Sequence, residues 1–200
     1  MDALRPDLAV VAECGAAHLP SERSLWCGRR KGLGVYTSLG EPRLLEPYVE
    51  SLRWFLPIAI DGCDEFVLLA AWAFNHRDGL DRCSDLSTAV DRYGGLLSEN
   101  EVVILGDLNN NVTWDRVRST PFADAIAALR ELGYVSAYHE YFGEPFGAES
   151  RPTYRHPGGR TYHIDFCFVP EHWMPRVTIE LPSLDAWPSS DHAPLIVDVS

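Results

Sequence analysis

One feature constrains the fold more than any other: four consecutive apolar residues, Val102 to Leu105, are followed at once by Gly106-Asp107-Leu108-Asn109. A run of apolar side chains without polar alternation is typical of a strand that is buried on both faces. Such a strand needs a covering layer on each side. We therefore expect a layered fold in which polar residues gather just past the end of the strand.

Other apolar segments predict further strands. Leu8 to Ala12 predicts a buried strand that ends at Glu13, and the segments 52–60 and 66–74 predict a hairpin around the turn-forming residues 61–64. Alternation in the segment 161–169 places Tyr162, Ile164, Phe166 and Phe168 on the face opposite to His163, Asp165 and Cys167. The remaining predicted strands cover residues 32–38 and 193–199.

Two segments have the period of an amphipathic helix. The first covers residues 84–98, and the second follows Thr120, which can cap it, with Pro121 in its first turn and Gly133 as its stop. Because the helices lie between strands, we expect sheets packed face to face with helices outside. A length of 200 residues and a hydrophobic fraction of 46% predict one domain over residues 1–200.

Composition narrows the class of protein. The net charge of −12 argues against a protein that coats nucleic acid by electrostatics alone. The five cysteines are widely spaced without a Cys-x-x-Cys pair, which argues against structural zinc and favours reduced thiols. The sequence has no apolar run long enough to span a bilayer and no recognisable signal peptide, so we expect a cytoplasmic protein.

Polar residues at the predicted strand ends are candidates for chemistry. Asp107 and Asn109 are two residues apart, so in extended chain they point the same way and could hold a water and a phosphoryl oxygen. A plain turn would use the same residue types. Glu13 ends a buried strand, where either a hard cation such as Mg²⁺ or simple solvation would account for a carboxylate.

Two more segments carry ionisable groups. Asp165 lies within an alternating strand and needs a partner if it is buried, although an exposed strand face would also accommodate it. Asp191 and His192 precede the last predicted strand. A histidine can move a proton near neutral pH when a carboxylate fixes its tautomer, but turn chemistry is the simpler interpretation of a lone Asp-His pair.

Taken together, the order and spacing of these segments resemble the endonuclease/exonuclease/phosphatase superfamily, to which pancreatic-type deoxyribonuclease and apurinic endonucleases belong. The resemblance covers nearly the whole chain and is strongest from Val102 onward. Its motifs are Ala12-Glu13 in place of Gln-Glu, Gly-Asp-x-Asn at 106–109, Pro-Thr-Tyr at 152–154, Arg/His-Ile-Asp at 163–165 and Ser-Asp-His-x-Pro at 190–194.

The resemblance implies a fold and a metal site. The fold would be a four-layer α/β/β/α sandwich of two packed, mainly antiparallel sheets with outer helices. Glu13 would bind Mg²⁺ or Mn²⁺, with Asp191 nearby. The reaction would be hydrolysis of a phosphoester by in-line attack of water, in which the metal neutralises charge in the transition state.

The catalytic roles implied by the resemblance fall to four residues. Asp107 and Asn109 would orient the attacking water and the phosphate. His192, paired with Asp165, would act as a base or stabilise a phosphoryl oxygen. A covalent enzyme intermediate is not expected.

The sequence departs from the family pattern in two places. The family's first strand, with its Trp-Asn or Phe-Asn motif, is missing, so we expect either a shortened form or a start further upstream. Loss of that strand would remove a metal ligand and expose a sheet edge that dimerisation could cover. Trp72 or Ala73 replaces a phosphate-contacting histidine, so Asn75 or His76 would take its role, although loop exposure is the simpler interpretation of His76. His163 is a further candidate for substrate contact.

Three functions remain open at this point. They are a phosphodiesterase or nuclease, a phosphatase acting on a small or lipid phosphate, and a non-catalytic binding module with the same fold. Retention of all the later polar motifs favours catalysis. A nucleic-acid substrate would need a basic strip. Two groups of residues could supply it: Arg23, Arg29, Arg30 and Lys31, and Arg151, Arg155 and Arg160.

Overall fold

The computed structural model of the chain describes residues 4–20, 22–46, 48–73, 85–117, 120–188 and 190–200. The strands are β1 (Leu8–Cys14), β2 (Ser24–Gly28), β3 (Gly32–Thr37), β4 (Pro42–Leu44), β5 (Phe55–Ile60), β6 (Cys63–Trp72), β7 (Val102–Asp107), β8 (Tyr134–Ser136), β9 (Tyr154–Arg155), β10 (Thr161–Tyr162), β11 (Asp165–Pro170), β12 (Val177–Glu180) and β13 (Ile196–Val199). The helices are α1 (Leu86–Arg92), α2 (Gly94–Glu99), α3 (Phe122–Glu131) and α4 (Ala137–Phe142).

A six-stranded sheet forms the centre of the fold, in the order β4-β5-β6-β7-β11-β8. Neighbouring strands are antiparallel except β6 and β7, which are parallel. Val102 and Ile104 of β7 pack into the core on one face, while Val103 and Leu105 pack on the other. The predicted burial of this strand on both faces is therefore confirmed.

The two faces of the central sheet have different covers. The helices α1, α2 and α3 cover one face, where Leu97 and Leu129 pack in the same core as Phe166. The other face packs against a three-stranded sheet, in the order β1-β3-β2, and against the pair β12-β13, through residues such as Val35 and Val177. The expected sandwich of two packed, mainly antiparallel sheets with helices outside is confirmed. Within the described ranges, no helix is long and apolar enough to cross a membrane.

One buried hydroxyl joins the helical layer to the sheet. Tyr134 Oη on β8 accepts a hydrogen bond from the backbone N–H of Val102, the first residue of β7. The same hydroxyl lies 2.9 Å from the carbonyl oxygen of Leu97 and 2.8 Å from that of Asn100. The end of α2, the start of β7 and the edge strand β8 therefore meet at a single side chain.

The predicted hairpin is confirmed, but its first strand begins later than expected, and its second strand begins at Cys63 rather than at residue 66. Ile60 pairs with Cys63 around Asp61 and Gly62. The strand begins at Phe55 because residues 50–52 form a 3₁₀ turn. Pairing with β6 then runs from Phe55 to the turn.

The two predicted helices differ from the structure in detail. The continuous helix over 84–98 is wrong, because the chain leaves helical geometry at Tyr93 and continues as α2 from Gly94. Gly94 and Gly95 have low helix propensity, which favours a break there. Thr120 does not cap α3. The Asp115 carboxylate instead accepts hydrogen bonds from the N–H groups of residues 122 and 123.

The predicted strand 161–169 is two strands. β10 pairs with β9, and β11 begins at Asp165 and pairs with β7. The interruption at His163 and Ile164 has a local cause. Thr153 Oγ1 accepts hydrogen bonds from the N–H groups of Ile164 and Asp165, and the Ile164 carbonyl accepts one from Leu108. These bonds replace the regular ladder.

The close approach of β6 leaves no room for a side chain at Gly106, and Gly106→Ala should destabilise the fold by at least ~3 kcal/mol. Its φ is +147°, and a Cβ there would meet the Ala71 carbonyl oxygen on β6 at 1.9 Å. Urea unfolding of the purified variant measures the loss. Gly62→Ala is the matched control, because Gly62 also has a positive φ but no heavy atom within 4 Å of its Cβ position. It should lose only about 1 kcal/mol. Equal losses in the two variants would contradict the steric explanation.

Candidate active site

Two carboxylates face each other where β7 and β11 meet. Asp107, the last residue of β7, is paired in register with Asp165, the first residue of β11. Asp107 is 4% exposed, whereas Asp165 is partly exposed. The antiparallel register therefore brings together two acidic groups that are 58 positions apart in the numbering.

His192 completes the cluster. Its Nδ1 lies 2.8 Å from Asp165 Oδ2. Ligand atoms of Asp107, Asp165 and His192 all lie within 4.8 Å of one another. The ring of Tyr154 lies 4.7 Å from the His192 ring, centroid to centroid, and fixes its other side.

A short segment around Thr153 holds the two sides of the cluster together. The Thr153 side chain is fully buried, and its hydroxyl oxygen accepts hydrogen bonds from the backbone N–H groups of Ile164 and Asp165. Its backbone carbonyl accepts a hydrogen bond from Ala193, and the Arg155 N–H donates to the Asp191 carbonyl. The loop that carries His192 is thereby fixed against the strand that carries Asp165.

The cluster has unusual protonation energetics. Burial and the charge of Asp165 raise the pKa of Asp107 well above its usual range. Burial alone would lower the pKa of His192, but the hydrogen bond and charge of Asp165, together with the charges of Asp107 and Asp191, raise it to about 9. Because both pKa values are raised, the site favours the protonated and therefore more positive form of each group.

Asn109 is held against Asp107. Its backbone N–H donates to Asp107 Oδ1 at 2.8 Å, and its side-chain Nδ2 donates to Asp107 Oδ2 at 2.7 Å. The same Nδ2 donates to the carbonyl oxygen of Ala73, at the end of β6. Asn109 adopts a left-handed conformation with φ +46°. Such strain in a residue other than glycine is common at functional sites.

Glu13 and Asp191 lie beside the cluster rather than in it. In the described part of the chain, the only converging group of potential ligands is that of Asp107, Asp165 and His192. The charge of Glu13 nevertheless acts on Asp107 and on Tyr154, and that of Asp191 acts on His192. The structure therefore brings all four predicted carboxylates to the same end of the sheets.

The candidate substrate contacts have different outcomes. His163 is 2% exposed and packs against Tyr138, with Nδ1 3.0 Å from the Arg151 carbonyl oxygen. Because its side chain is enclosed, it does not present a surface to a substrate. Asn75 and His76 lie outside the described residues.

A buried polar network lies beneath the site. Asn111 Nδ2 donates to Glu149 Oε2 and to the carbonyl oxygen of His163. Glu149 Oε1 lies 3.1 Å from His139 Nε2, and His139 Nδ1 lies 2.8 Å from the Ser136 hydroxyl. The network joins the loop after β7 to the segment before β11, so it supports both halves of the carboxylate pair.

The donor set fits a hard divalent cation. Glu13 and Asp191 offer carboxylate oxygens beside the cluster, where their charges act on Asp107 and His192. Asp107 and Asp165 already accept hydrogen bonds from Asn109 and His192. Oxygen-rich sites of this kind suit Mg²⁺ or Mn²⁺. The nearby thiol of Cys14 is buried, and burial raises its pKa, so it is a poor ligand for such a cation.

The two predicted basic groups differ in how far neighbouring carboxylates neutralise their positive charge. Arg151 pairs with Glu144, and Arg155 pairs with Asp185, so carboxylates partly neutralise that group. Arg29, Arg30 and Lys31 form the exposed tip of the β2-β3 hairpin. The tip lies beside Glu13, because Lys31 contacts that residue.

The fold resembles several solved structures. A 3′ phosphatase from Neisseria, bound to product DNA hairpin, is 13% identical with a TM-score of 0.72, over 98% of this chain and 89% of that chain. An AP endonuclease from Archaeoglobus fulgidus is 16% identical with a TM-score of 0.69, over 100% and 91%. An endonuclease/exonuclease/phosphatase family protein from Bacteroides thetaiotaomicron is 16% identical with a TM-score of 0.58, over 98% and 84%.

This chain has the fold of the endonuclease/exonuclease/phosphatase superfamily. The resemblance inferred from the motifs is thus confirmed at the level of fold. No protein-family model and no curated protein matches the sequence. The fold therefore rests on the structural comparison, and the chemistry rests on the site.

Sequence reasoning gave no role to several residues that shape the site. The sequence marks Thr153 and Tyr154 only as part of a Pro-Thr-Tyr segment, yet in the structure they contact Asp165 and His192. Asn111 has no predicted role, and its only local signal in the sequence is a run of three asparagines after a buried strand. Glu149 gives no local signal, because its side-chain partners Asn111 and His139 are 38 and 10 positions away.

Glu149→Gln should lower the free energy of unfolding by about 3 kcal/mol at pH 7, and by less at pH 3. Burial raises the pKa of Glu149, but hydrogen bonds from His139, Gly147 and Asn111 outweigh it and lower the pKa from 4.5 to about 2. A depressed carboxyl pKa stabilises the fold above pH 4.5, and this stabilisation is lost as pH falls towards 2. Urea unfolding at both pH values checks the result. Glu140→Gln, at a surface ion pair, is the control and should change little at either pH. A loss that does not depend on pH would contradict the prediction.

Proposed function

We propose that this chain is a divalent-metal-dependent phosphoester hydrolase that acts on phosphodiesters through an activated water. The convergence of Asp107, Asp165 and His192 at the strand ends of this fold is the observation that carries the proposal. Two like charges at such short range are costly unless a cation or proton is shared between them. The cluster therefore favours positive charge beside it. It lies on a fold that nucleases and phosphatases share, and this supports phosphoester chemistry.

The residues of the cluster have distinct roles in this proposal. Asp107 and Asn109 hold the attacking water and one phosphoryl oxygen, because they are hydrogen-bonded to each other and fixed at the end of β7. Asp165 holds His192 through Nδ1 and leaves Nε2 free for chemistry. At neutral pH, where a pKa of about 9 keeps the ring protonated, Nε2 donates to a phosphoryl oxygen, and above that pKa it can accept a proton from water. Glu13 and Asp191 are the proposed metal ligands.

The cation supplies one kind of chemistry when it is bound: it neutralises charge on the phosphate and on the leaving oxygen. The protein residues position the water, hold the phosphate and fix the imidazole. The rigid support from Thr153 and the buried network around Glu149 serves this positioning, since catalysis of this type depends on geometry.

A second candidate is hydrolysis of phosphomonoesters by the same residues. It is favoured by one observation: the Neisseria protein of similar fold is described as a 3′ phosphatase in one structure and as a 3′-5′ exonuclease in another.

The exposed Arg29-Arg30-Lys31 tip favours a substrate with phosphates beyond the scissile one, and hence a nucleic acid. Comparison of p-nitrophenyl phosphate with its bis ester separates the two candidates.

His192→Ala should lower the rate of bis-p-nitrophenyl phosphate hydrolysis by about 10² to 10⁴, the usual contribution of a general acid or base. The assay uses Mg²⁺ or Mn²⁺, and a chelator should abolish the activity of the unmodified protein. His172→Ala is the matched control, since His172 is 68% exposed and pairs only with Glu101 among the described residues. Its rate should equal that of the unmodified protein.

Three outcomes would contradict the proposal: full activity of His192→Ala, full activity in the presence of chelator, and no hydrolysis of either ester by the folded chain. Circular dichroism of each variant shows whether the fold is retained. Hydrolysis of the monoester alone would favour the phosphatase over the phosphodiesterase.

A further inference from the structure

The only lysine of the chain contacts a proposed metal ligand. Lys31 Nζ donates a hydrogen bond to Glu13 Oε2, and the two groups form an ion pair. The side chains are 65% and 54% exposed. Exposed ion pairs contribute little to stability, so a stronger partner for the carboxylate can replace this one.

The backbone places Glu13 for this contact. The pairing of β1 with β3 slips between Val11 and Cys14, which leaves Glu13 in a bulge. Glu13 also has a left-handed conformation, with φ +56°. A bulge re-aims the side chain that it contains, and strain of this kind persists only where the surroundings hold it.

The side chain of Trp26 fixes both partners at once. Its indole Nε1 donates to the carbonyl oxygen of Cys14, the residue after Glu13. Its ring also lies against Gly28 and Gly32, where any Cβ would come within 2.8 Å of ring atoms. Those two glycines flank the hairpin tip that carries Lys31. One aromatic ring therefore contacts the backbone next to Glu13 and on both sides of the tip that carries Lys31.

The pair belongs to the electrostatics of the candidate site. The charge of Glu13 acts on Asp107 and Tyr154, and the charge of Asp191 acts on Lys31. Lys31 is thus a cation placed among the carboxylates that are proposed to hold a metal. An ammonium group carries one charge, whereas Mg²⁺ carries two and prefers carboxylate oxygens.

We propose that Lys31 neutralises Glu13 in the metal-free protein and leaves this carboxylate when the divalent cation binds. The inference rests on the proposed function, because that function assigns Glu13 to the metal. It adds a positioning role for Lys31 and predicts that metal binding competes with an internal ion pair.

The experiment follows Lys31 directly by NMR. Reductive methylation with ¹³C-formaldehyde labels Lys31 and the N-terminal amine and keeps their positive charges. Lys31→Arg identifies the lysine signal by its loss. Titration with Mg²⁺ alone should move this signal saturably, to the position that it has in Glu13→Gln, where the ion pair is broken from the start. In Glu13→Gln itself, Mg²⁺ should leave the signal in place.

Two controls separate displacement from general screening. Sodium chloride at matched ionic strength should move the signal much less than Mg²⁺ does, because screening is not site-specific. Glu41→Gln removes an exposed carboxylate elsewhere and should leave the Mg²⁺ response as in the unmodified protein.

Metal affinity provides a second measurement. Lys31→Met should bind Mn²⁺ up to about fivefold more tightly than the unmodified chain, which corresponds to the upper end of an exposed ion pair. Arg30→Met removes the same charge from the same turn and should have a smaller effect. Calorimetry on the unlabelled proteins gives both values.

Certain outcomes overturn the inference. They are an unmoved Lys31 signal at saturating Mg²⁺, a Glu13→Gln signal identical to that of the unmodified protein, and equal affinity gains in Lys31→Met and Arg30→Met. Metal-dependent hydrolysis without displacement of Lys31 would reject this inference and leave the proposed function intact. Displacement without hydrolysis of any ester would do the reverse.

Discussion

The register between β7 and β11 is the constraint on which the candidate site depends. It sets Asp107 opposite Asp165, at the point where β7 ends and β11 begins. A shift of one residue would separate the two carboxylates and turn every side chain of the shifted strand to the opposite face of the sheet. The apolar residues of β7, which pack alternately into the two cores, make such a shift costly. The same packing that buries the sheet therefore fixes the spacing of the acidic groups.

The cost of bringing these acidic groups together is visible in their surroundings. Asp107 is buried beside another carboxylate, and several neighbouring groups compensate for this. Asn109 donates two hydrogen bonds to it, His192 brings positive charge, and Thr153 holds the strand that carries Asp165. In a chain with a net charge of −12, attraction for a phosphate cannot come from the protein as a whole. The proposed function therefore needs local positive charge, which a bound cation and the basic hairpin tip would supply.

Much of the fold was predictable because its signals are local. The apolar run of β7, the hairpin turn at Asp61-Gly62 and the stop at Gly133 each depend on neighbouring residues, and the structure has them. The broken helix at Tyr93 depends on tertiary contact as well, since the Tyr93 hydroxyl donates to the Phe55 carbonyl across 38 positions. The cap of α3 was missed because Asp115 lies seven positions before the N–H that it binds.

The candidate site was predictable in its composition but not in its distances. Motif spacing selected Asp107, Asn109, Asp165 and His192, and the structure places them together. The enclosure of His163 could not be read from sequence, because it arises from α4 and the Glu149 network, which are formed by segments without a motif. The contact between Lys31 and Glu13 was equally hidden, since it depends on the Trp26 ring and on a bulge.

The buried hydroxyl of Tyr134 has a consequence for how the protein opens. The Val102 N–H donates to a side chain from β8, while the same oxygen contacts the end of α2. Exchange of this amide with solvent deuterium therefore requires the hydroxyl to withdraw, and that in turn loosens both the helical layer and the sheet edge. We expect the amide at the start of β7 to exchange together with those of α2 and β8. The strand that carries the acidic cluster would then open to solvent only as part of a concerted unfolding event.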